Sequence, residues 1–274
     1  MIYRIHIPAP PLSNFIEHFF YYEGYSAEHK MEKFLPDGSM DLLIDLTDTP
    51  KKLFHDEAGD TFTTYSRSWL SGMKTEYILI DASVSTMIGI HFKPGGAYPF
   101  FALPVSELNN MTIETDILWN IDIHYLRDAI LEKDSIEDKF RLLENFFLQK
   151  GKNRLEQNVF IQYALDQLQH SPQLWTIEKL AAKTGFTQKH LINLFRKYVG
   201  LTPKQFARIA RFQKVITELE QHQSVEWTSL AYDCGYFDHA HFIKEFQAFS
   251  GINPSAYLVQ RGIYRNYLPI RQAG

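Results

Sequence analysis

The C-terminal third of this 274-residue chain contains a sequence repeat. Ala181 to Pro203 (AAKTGFTQKHLINLFRKYVGLTP) returns as Ala231 to Pro254 (AYDCGYFDHAHFIKEFQAFSGINP). Leu180-Ala181 and Gly185-Phe186 match Leu230-Ala231 and Gly235-Tyr236 at an offset of 50. After one inserted residue, Leu191, Phe195, Tyr198, Gly200 and Pro203 match Phe242, Phe246, Phe249, Gly251 and Pro254 at an offset of 51. Self-similarity of this kind marks two copies of one supersecondary unit.

Each copy reads as a short helix, a tight turn and a second helix. Thr176 caps a helix that turns Ile177, Leu180 and Ala181 inward, and Gly185 supplies the positive φ that ends it. Thr187 caps the next helix, where Leu191, Leu194, Phe195 and Tyr198 make one apolar stripe closed by Gly200. In the second copy Asp238 is the cap and Phe242, Phe246 and Phe249 are the stripe. This is a helix-turn-helix pattern, and the small residue at Ala181 or Ala231 lets the two helices approach closely.

The repeat explains a segment that otherwise invites a metal. CGYFDHAHFIKEF, Cys234 to Phe246, places the single cysteine near an aspartate and two histidines. Residues two apart on a helix point about 200° away from each other, so His239 and His241 do not share an ion. Cys234 falls in the interhelical turn instead. No metal and no other cofactor is expected.

On each second helix one face stays free. With Leu191 as the zero of the wheel, Lys189, Asn193 and Arg196 point away from the core; Ala240, Lys244 and Gln247 are their counterparts. Lysine reaches guanine acceptors, Asn and Gln pair with adenine edges, and Arg196 or Gln247 suits a phosphate. Ile192 and Ile243 lie on the flank, open either to a thymine methyl or to ordinary packing. His239, near its helix start, is within reach of a phosphate or a base edge. Between the copies, Thr202 as cap, Pro203 at the first position, and Phe206, Ile209, Ala210, Ile216 and Leu219 predict a helix over 202–223. Its length of roughly 27 Å, plus the unit bodies, brings successive major grooves about 34 Å apart within reach of one chain. Lys204, Arg208 and Arg211 are its candidates for backbone phosphates.

Charge divides along the same line. The overall balance is −4, but residues 1–170 hold 15 Lys and Arg against 25 Asp and Glu, and residues 171–274 hold 13 against 7. An acidic part is joined to a basic one, which points to a nucleic acid or an acidic surface as the partner of the latter, and with the helix-turn-helix pattern to double-stranded DNA. Hydrophobic residues at 45% and charged residues at 22% exclude a disordered chain. With no basic leader and no long apolar run, a cytoplasmic protein without membrane contact is expected.

The acidic part carries β-like runs at Met40–Leu46, Tyr77–Asp81 and Met87–Phe92, with turns at Pro36-Asp37-Gly38 and Pro94-Gly95-Gly96. From about Val105 the pattern turns helical. We expect an α+β chain: a small β-barrel-like domain over 1–103, a helical connector and possible dimerisation region over 104–170, and an all-α domain of two helix-turn-helix units joined by a linker helix over 171–274. Leu126, Ile130, Leu142, Leu143, Phe146, Phe147, Val159, Phe160, Tyr163 and Leu168 offer apolar surface for a homodimer, or for packing the β domain on the helical one. Lys93-Pro94-Gly95-Gly96 reads as a tight turn rather than a phosphate cradle. Nothing in the spacing of His91, Asp41, Asp45 and His55 marks a site.

On these motifs the chain resembles the AraC/XylS family of bacterial transcription regulators over about 171–258. The marks are Ala-x-x-x-Gly in both units, Phe195-Arg196-Lys197, Gly200-Leu201-Thr202-Pro203, Cys234-Gly235-Tyr236 and Gly251-Ile252-Asn253-Pro254-Ser255-x-Tyr257. The resemblance implies a sequence-specific activator or repressor, with base-reading positions at Lys189, Ile192, Asn193, His239, Ile243 and Lys244. It also implies phosphate contacts from Arg196 and Lys197, a small-molecule effector or dimerisation role for the first domain, and contact with RNA polymerase if the protein activates. Gln247 and Ala248 depart from the family where a basic residue is frequent. The competing function is a DNA-targeted enzyme with its chemistry in the N-terminal domain. The cysteines of a self-methylating repair protein and the motifs Gly-x-Ser-x-Gly and His-Glu-x-x-His are absent there.

Overall fold

The N-terminal part is built from strands β1 (Ile2–His6), β2 (Ile16–Tyr25), β3 (Met31–Phe34), β4 (Met40–Asp45), β5 (Lys51–Phe54), β6 (Phe62–Tyr65), β7 (Ser68–Ser71), β8 (Ile78–Asp81), β9 (Ser85–Phe92) and β10 (Thr112–Glu114). The computed structural model describes residues 1–101, 103–222 and 225–270. Strand β11 (Tyr267–Ile270) comes from the far C-terminus. The strands form two sheets, ordered β1-β2-β9-β4-β7-β10 and β11-β3-β8-β5-β6, with no closed barrel among the described residues.

The first sheet is covered by protein on both faces, which is why MDLLID and MIGIHF read as nearly continuous hydrophobic runs broken only by Asp41, Asp45 and His91. Successive side chains alternate in direction. Phe19, Leu42, Ile44, Ile88, Ile90 and Phe92 are fully buried in a core with Phe100 and Phe147. Phe20, Tyr22, Asp41, Leu43, Met87 and His91 point the other way, toward the second sheet. Gly89 is needed between Met87 and His91 because an added Cβ would sit 2.2 Å from the Phe20 ring.

Helices α1 (Asp116–Trp119), α2 (Asp122–Leu131) and α3 (Ile136–Lys150) follow, then α4 (Val159–His170). Helix α4 starts at Val159 because the Asn158 side chain accepts from the N–H groups of Phe160 and Ile161. The surface expected to support a dimer is mostly used inside the chain. Leu126, Ile130, Leu143, Phe147 and Leu168 are buried, and Leu142 and Phe146 pack half-buried against the same core. Of the exposed three, Phe160 meets Phe186 edge-on at 4.9 Å and Tyr163 meets Trp175 at 5.9 Å.

The helical part comprises α5 (Ile177–Thr184), α6 (Gln188–Val199), α7 (Pro203–Gln221), α8 (Trp227–Asp233), α9 (His239–Ser250) and α10 (Pro254–Gln260). Gln223, the last residue of the predicted linker, lies outside the described residues, as do 271–274. Two expected boundaries shift. Helix α4 packs against α6 and α7, so it sits with the helical part. Residues 267–270 leave that part altogether, since β11 pairs with β3 in antiparallel register, Tyr267 opposite Phe34 and Ile270 opposite Met31. One continuous hydrophobic core runs from Leu12 to Leu268.

Candidate nucleic-acid interface and ligand cavity

Both helix-turn-helix units are held by local capping. The Thr176 hydroxyl accepts from the N–H of Lys179, Thr187 from His190, and Asp238 from His241. Gly185, Gly200, Gly235 and Gly251 take positive φ where each helix stops. Glu226 caps α8 through the N–H groups of Thr228 and Ser229, holding its carboxyl down at about 2. Thr202 and Gln205 form a reciprocal capping box at the start of α7. Cys234 is fully buried in the turn, and burial pushes its thiol up to about 12.

Lys189, Asn193 and Arg196 on α6 and His239, Lys244 and Gln247 on α9 are exposed, while Ile192 and Ile243 are half-buried and Ile243 packs against the core. The two second helices therefore present polar side chains on the faces opposite their apolar stripes. Lys197 is exposed but committed: its ammonium lies 5.2 Å from the centre of the Tyr98 ring and 5.3 Å from that of Tyr198. This links α6 to the N-terminal domain, as does the Asn109 side chain, which donates to the carbonyl of Gly200.

The linker helix divides its basic residues. Lys204 is exposed. Arg208 Nε donates to Glu245 Oε2 at 2.7 Å, and Arg211 Nη2 to Glu245 Oε1 at 3.1 Å. Glu245 is buried on α9, and Arg211 also stacks over Tyr236 at 5.5 Å. Arg211 is thus turned inward rather than toward a phosphate, a correction to the reading of its type alone; Arg208 keeps part of its side chain exposed. Sequence reasoning missed Glu245. The available signal was its place three residues after Phe242, on the inward side of the stripe.

Between the two sheets lies a cavity of about 450 Å³. His91 lies opposite Asp41 in the β4–β9 pair and opposite His18 in the β2–β9 pair. Its Nδ1 is 2.7 Å from Asp41 Oδ1, and its ring stacks on His18 at 5.1 Å. Asp37, just before β4, completes a cluster whose polar atoms all lie within 4.8 Å of one another. Burial works against the His91 charge, but Asp41, then Asp37 and Glu17, overcome it and raise the imidazole to about 9. Burial and Asp41 raise the Asp37 carboxyl against the pull of His91. Strand pairing brings Asp41 and His91 together across 50 residues, and Asp37 was seen in sequence only as part of a turn.

The segment after α10 forms one wall of this cavity through Tyr264, Asn266 and Tyr267. Arg265 donates to the Gln213 carbonyl and to the Thr217 hydroxyl on α7. Gln213 Nε2 in turn donates to the Pro36 carbonyl at 2.7 Å and to Asn266 Oδ1 at 2.9 Å. Gly38 sits against Phe206 and Ile209. The cavity wall therefore rests directly on the helix that joins the two helix-turn-helix units.

Residues 180–260 match the model of a helix-turn-helix domain, of the AraC type, and residues 4–114 match a domain of unknown function, DUF6597. These matches place an AraC-type helix-turn-helix domain at 180–260. An uncharacterized HTH-type transcriptional regulator of Haemophilus influenzae is 26% identical over 184 residues, 65% of this chain and 57% of that protein. The chain thus spans little more than half the length of that relative. The HTH-type transcriptional activator AarP of Providencia stuartii is 29% identical over 93 residues, 34% of this chain and 68% of AarP. Among solved structures, ToxT of Vibrio cholerae with an unsaturated fatty acid bound is 12% identical, with 88% of this chain and 94% of ToxT covered and a TM-score of 0.46. A probable AraC family transcriptional regulator from Rhodopseudomonas palustris is 25% identical over 37% of this chain and 96% of that chain, with a TM-score of 0.34. No described helix is long and apolar enough to cross a membrane.

Proposed function

We propose that the chain is a sequence-specific, double-stranded-DNA-binding transcription regulator whose cavity between the two sheets takes a small-molecule effector. The carrying observation is the pair of capped, glycine-closed units with Lys189, Asn193, His239 and Lys244 exposed on their second helices. In this reading those residues, flanked by Ile192 and Ile243, read bases. Arg196, Lys204, Gln247 and the exposed part of Arg208 grip phosphates. Lys197 joins them on release from Tyr98. An effector works on Pro36, Asp37 and the 264–267 segment, and through Gln213 on α7. The site of action is the cytoplasm, where bacterial DNA lies; acting as an activator, the protein would also contact RNA polymerase.

An enzyme in the N-terminal domain is the weaker reading. The Asp41–His91 pair is the natural candidate for acid–base chemistry, yet a histidine held near 9 is already protonated at neutral pH and is not available as a base. The test is selection of duplex sequences on the full chain, followed by anisotropy titration against salt. Log affinity is expected to fall by about 0.9 per phosphate neutralised for each unit of log salt. Folded protein that enriches no sequence would end this reading.

A further inference from the structure

The cavity is an aromatic-lined space with its carboxylates gathered at one end. Asp37 and Asp41 meet a single opposing charge, the His91 imidazolium. Of the other basic residues of the lining, His18 stacks on His91 and has its pKa lowered by burial first and by His91 next, Lys51 donates to Ser83 and to the Val84 carbonyl at 2.7 Å, Lys52 lies over the Phe62 ring at 4.1 Å, and Arg265 bonds to α7. Of the basic groups in the lining only His91 stands within the Asp37–Asp41 cluster, so the carboxylates, not the cations, are gathered at that end of the cavity. Rings from Tyr3, Phe20, Phe34, Trp69 and Tyr267 line the rest. Aromatic faces and carboxylates attract the same partner, a positive charge on an apolar body. At about 450 Å³ the space also suits an organic molecule rather than a bare ion.

We propose that this cavity binds a small organic cation, an ammonium or guanidinium group on an apolar or aromatic body, with the charged head on Asp37 and Asp41. The assignment rests on the reading of the cavity as the effector site and names the chemistry of its ligand. Tyr3 and Tyr267 add support from their electrostatics. Burial first, then Tyr264 and Asp41, raises the Tyr3 phenol, and burial first, then Asp41, Tyr22, Asp37 and Glu32, raises that of Tyr267, so the cavity carboxylates contribute to both. A divalent metal is the rival occupant of the Asp37, Asp41 and His91 cluster. It would have to displace the proton that Asp41 and Nδ1 share.

The test is calorimetry and thermal shift on the full chain with benzyltrimethylammonium, tyramine and agmatine. Benzyl alcohol, hexanoate, oleate and Zn²⁺ are the comparison probes. At least one cation is expected to bind, tenfold or more tighter than the neutral and anionic probes. Asp37→Asn, which leaves the Asp41–His91 pair in place, should weaken it tenfold or more while far-UV circular dichroism is unchanged; Asp41→Asn should do the same if it folds. Preference for a fatty acid or a neutral probe, stoichiometric Zn²⁺ binding, or no binding by any of the three cations would overturn the proposal. Duplex binding is measured in parallel without ligand. Its loss alone would count against the regulator and leave the ligand class standing, whereas anion binding with intact duplex binding would remove the ligand class alone.

Discussion

Gln213 donates from one nitrogen to the carbonyl of Pro36 at 2.7 Å and to the side chain of Asn266 at 2.9 Å. One side chain of the linker helix thereby holds two edges of the cavity, 177 and 53 residues away in sequence. Removing it leaves the Asn266 amide oxygen and the Pro36 carbonyl to find other donors, a cost of about 1–3 kcal/mol if they stay buried. In Gln213→Ala the amide of Leu35, which donates to the Asn266 carbonyl, is expected to exchange with deuterium faster than in the wild type. Unchanged protection at Leu35 would show that the C-terminal strap holds to β3 without α7.

Glu245 is the anchor between α7 and α9. Its carboxylate is buried and accepts from both Arg208 and Arg211. Glu245→Ala strands Arg211, whose Nε already lacks a partner, and should cost roughly 3 kcal/mol in denaturant unfolding. The double change Glu245→Met with Arg211→Met removes both charges and should recover most of that loss. Equal destabilisation in the single and double variants would place the effect in packing rather than charge.

His91 makes stability depend on pH. Its folded-state value of about 9 lies above the ordinary value of 6.5, so its contribution is complete below about 6.5 and disappears as pH rises through 9. The groups facing it are Asp41 on β4, Asp37 before β4, and His18 and Glu17 on β2. The stability difference between wild type and His91→Gln should shrink by on the order of 3 kcal/mol between pH 6 and pH 10. Lys74, lowered to about 8 by burial, titrates in the same range but is common to both proteins and cancels. Imidazole NMR showing His91 neutral at pH 7.5 would refute the assignment.

Base-reading and phosphate roles separate by sequence dependence. Alanine at Lys189 or Asn193 is expected to relax preference at particular positions by about 1–3 kcal/mol. Alanine at Lys204 should weaken all duplexes alike and lower the salt slope by about one. An unchanged consensus for Asn193→Ala would mean that α6 is turned differently on DNA.

The two helix-turn-helix units were legible in the chain because their instructions are local. Thr176, Thr187 and Asp238 cap, the glycines from Gly185 to Gly251 stop, and the stripes from Leu191 and Phe242 bury, each within a few residues of the group it acts on. The strands Met40–Asp45 and Ile78–Asp81 and most of Ser85–Phe92 were legible for the same reason, as was the Lys93–Gly96 turn, closed by its own backbone bond. Strand pairing carries no such local mark. That His91 faces Asp41, that β11 returns to β3, and that Arg211 turns inward to Glu245 depend on which distant surfaces meet. A period of two says which residues share a face, but not which strand lies beside it or which charge waits across the gap. Only the closed core, from Leu12 to Leu268, settles those choices, because covering both faces of the first sheet strips most of the water from side chains such as Asp41 and His91 and favours their pairing with one another.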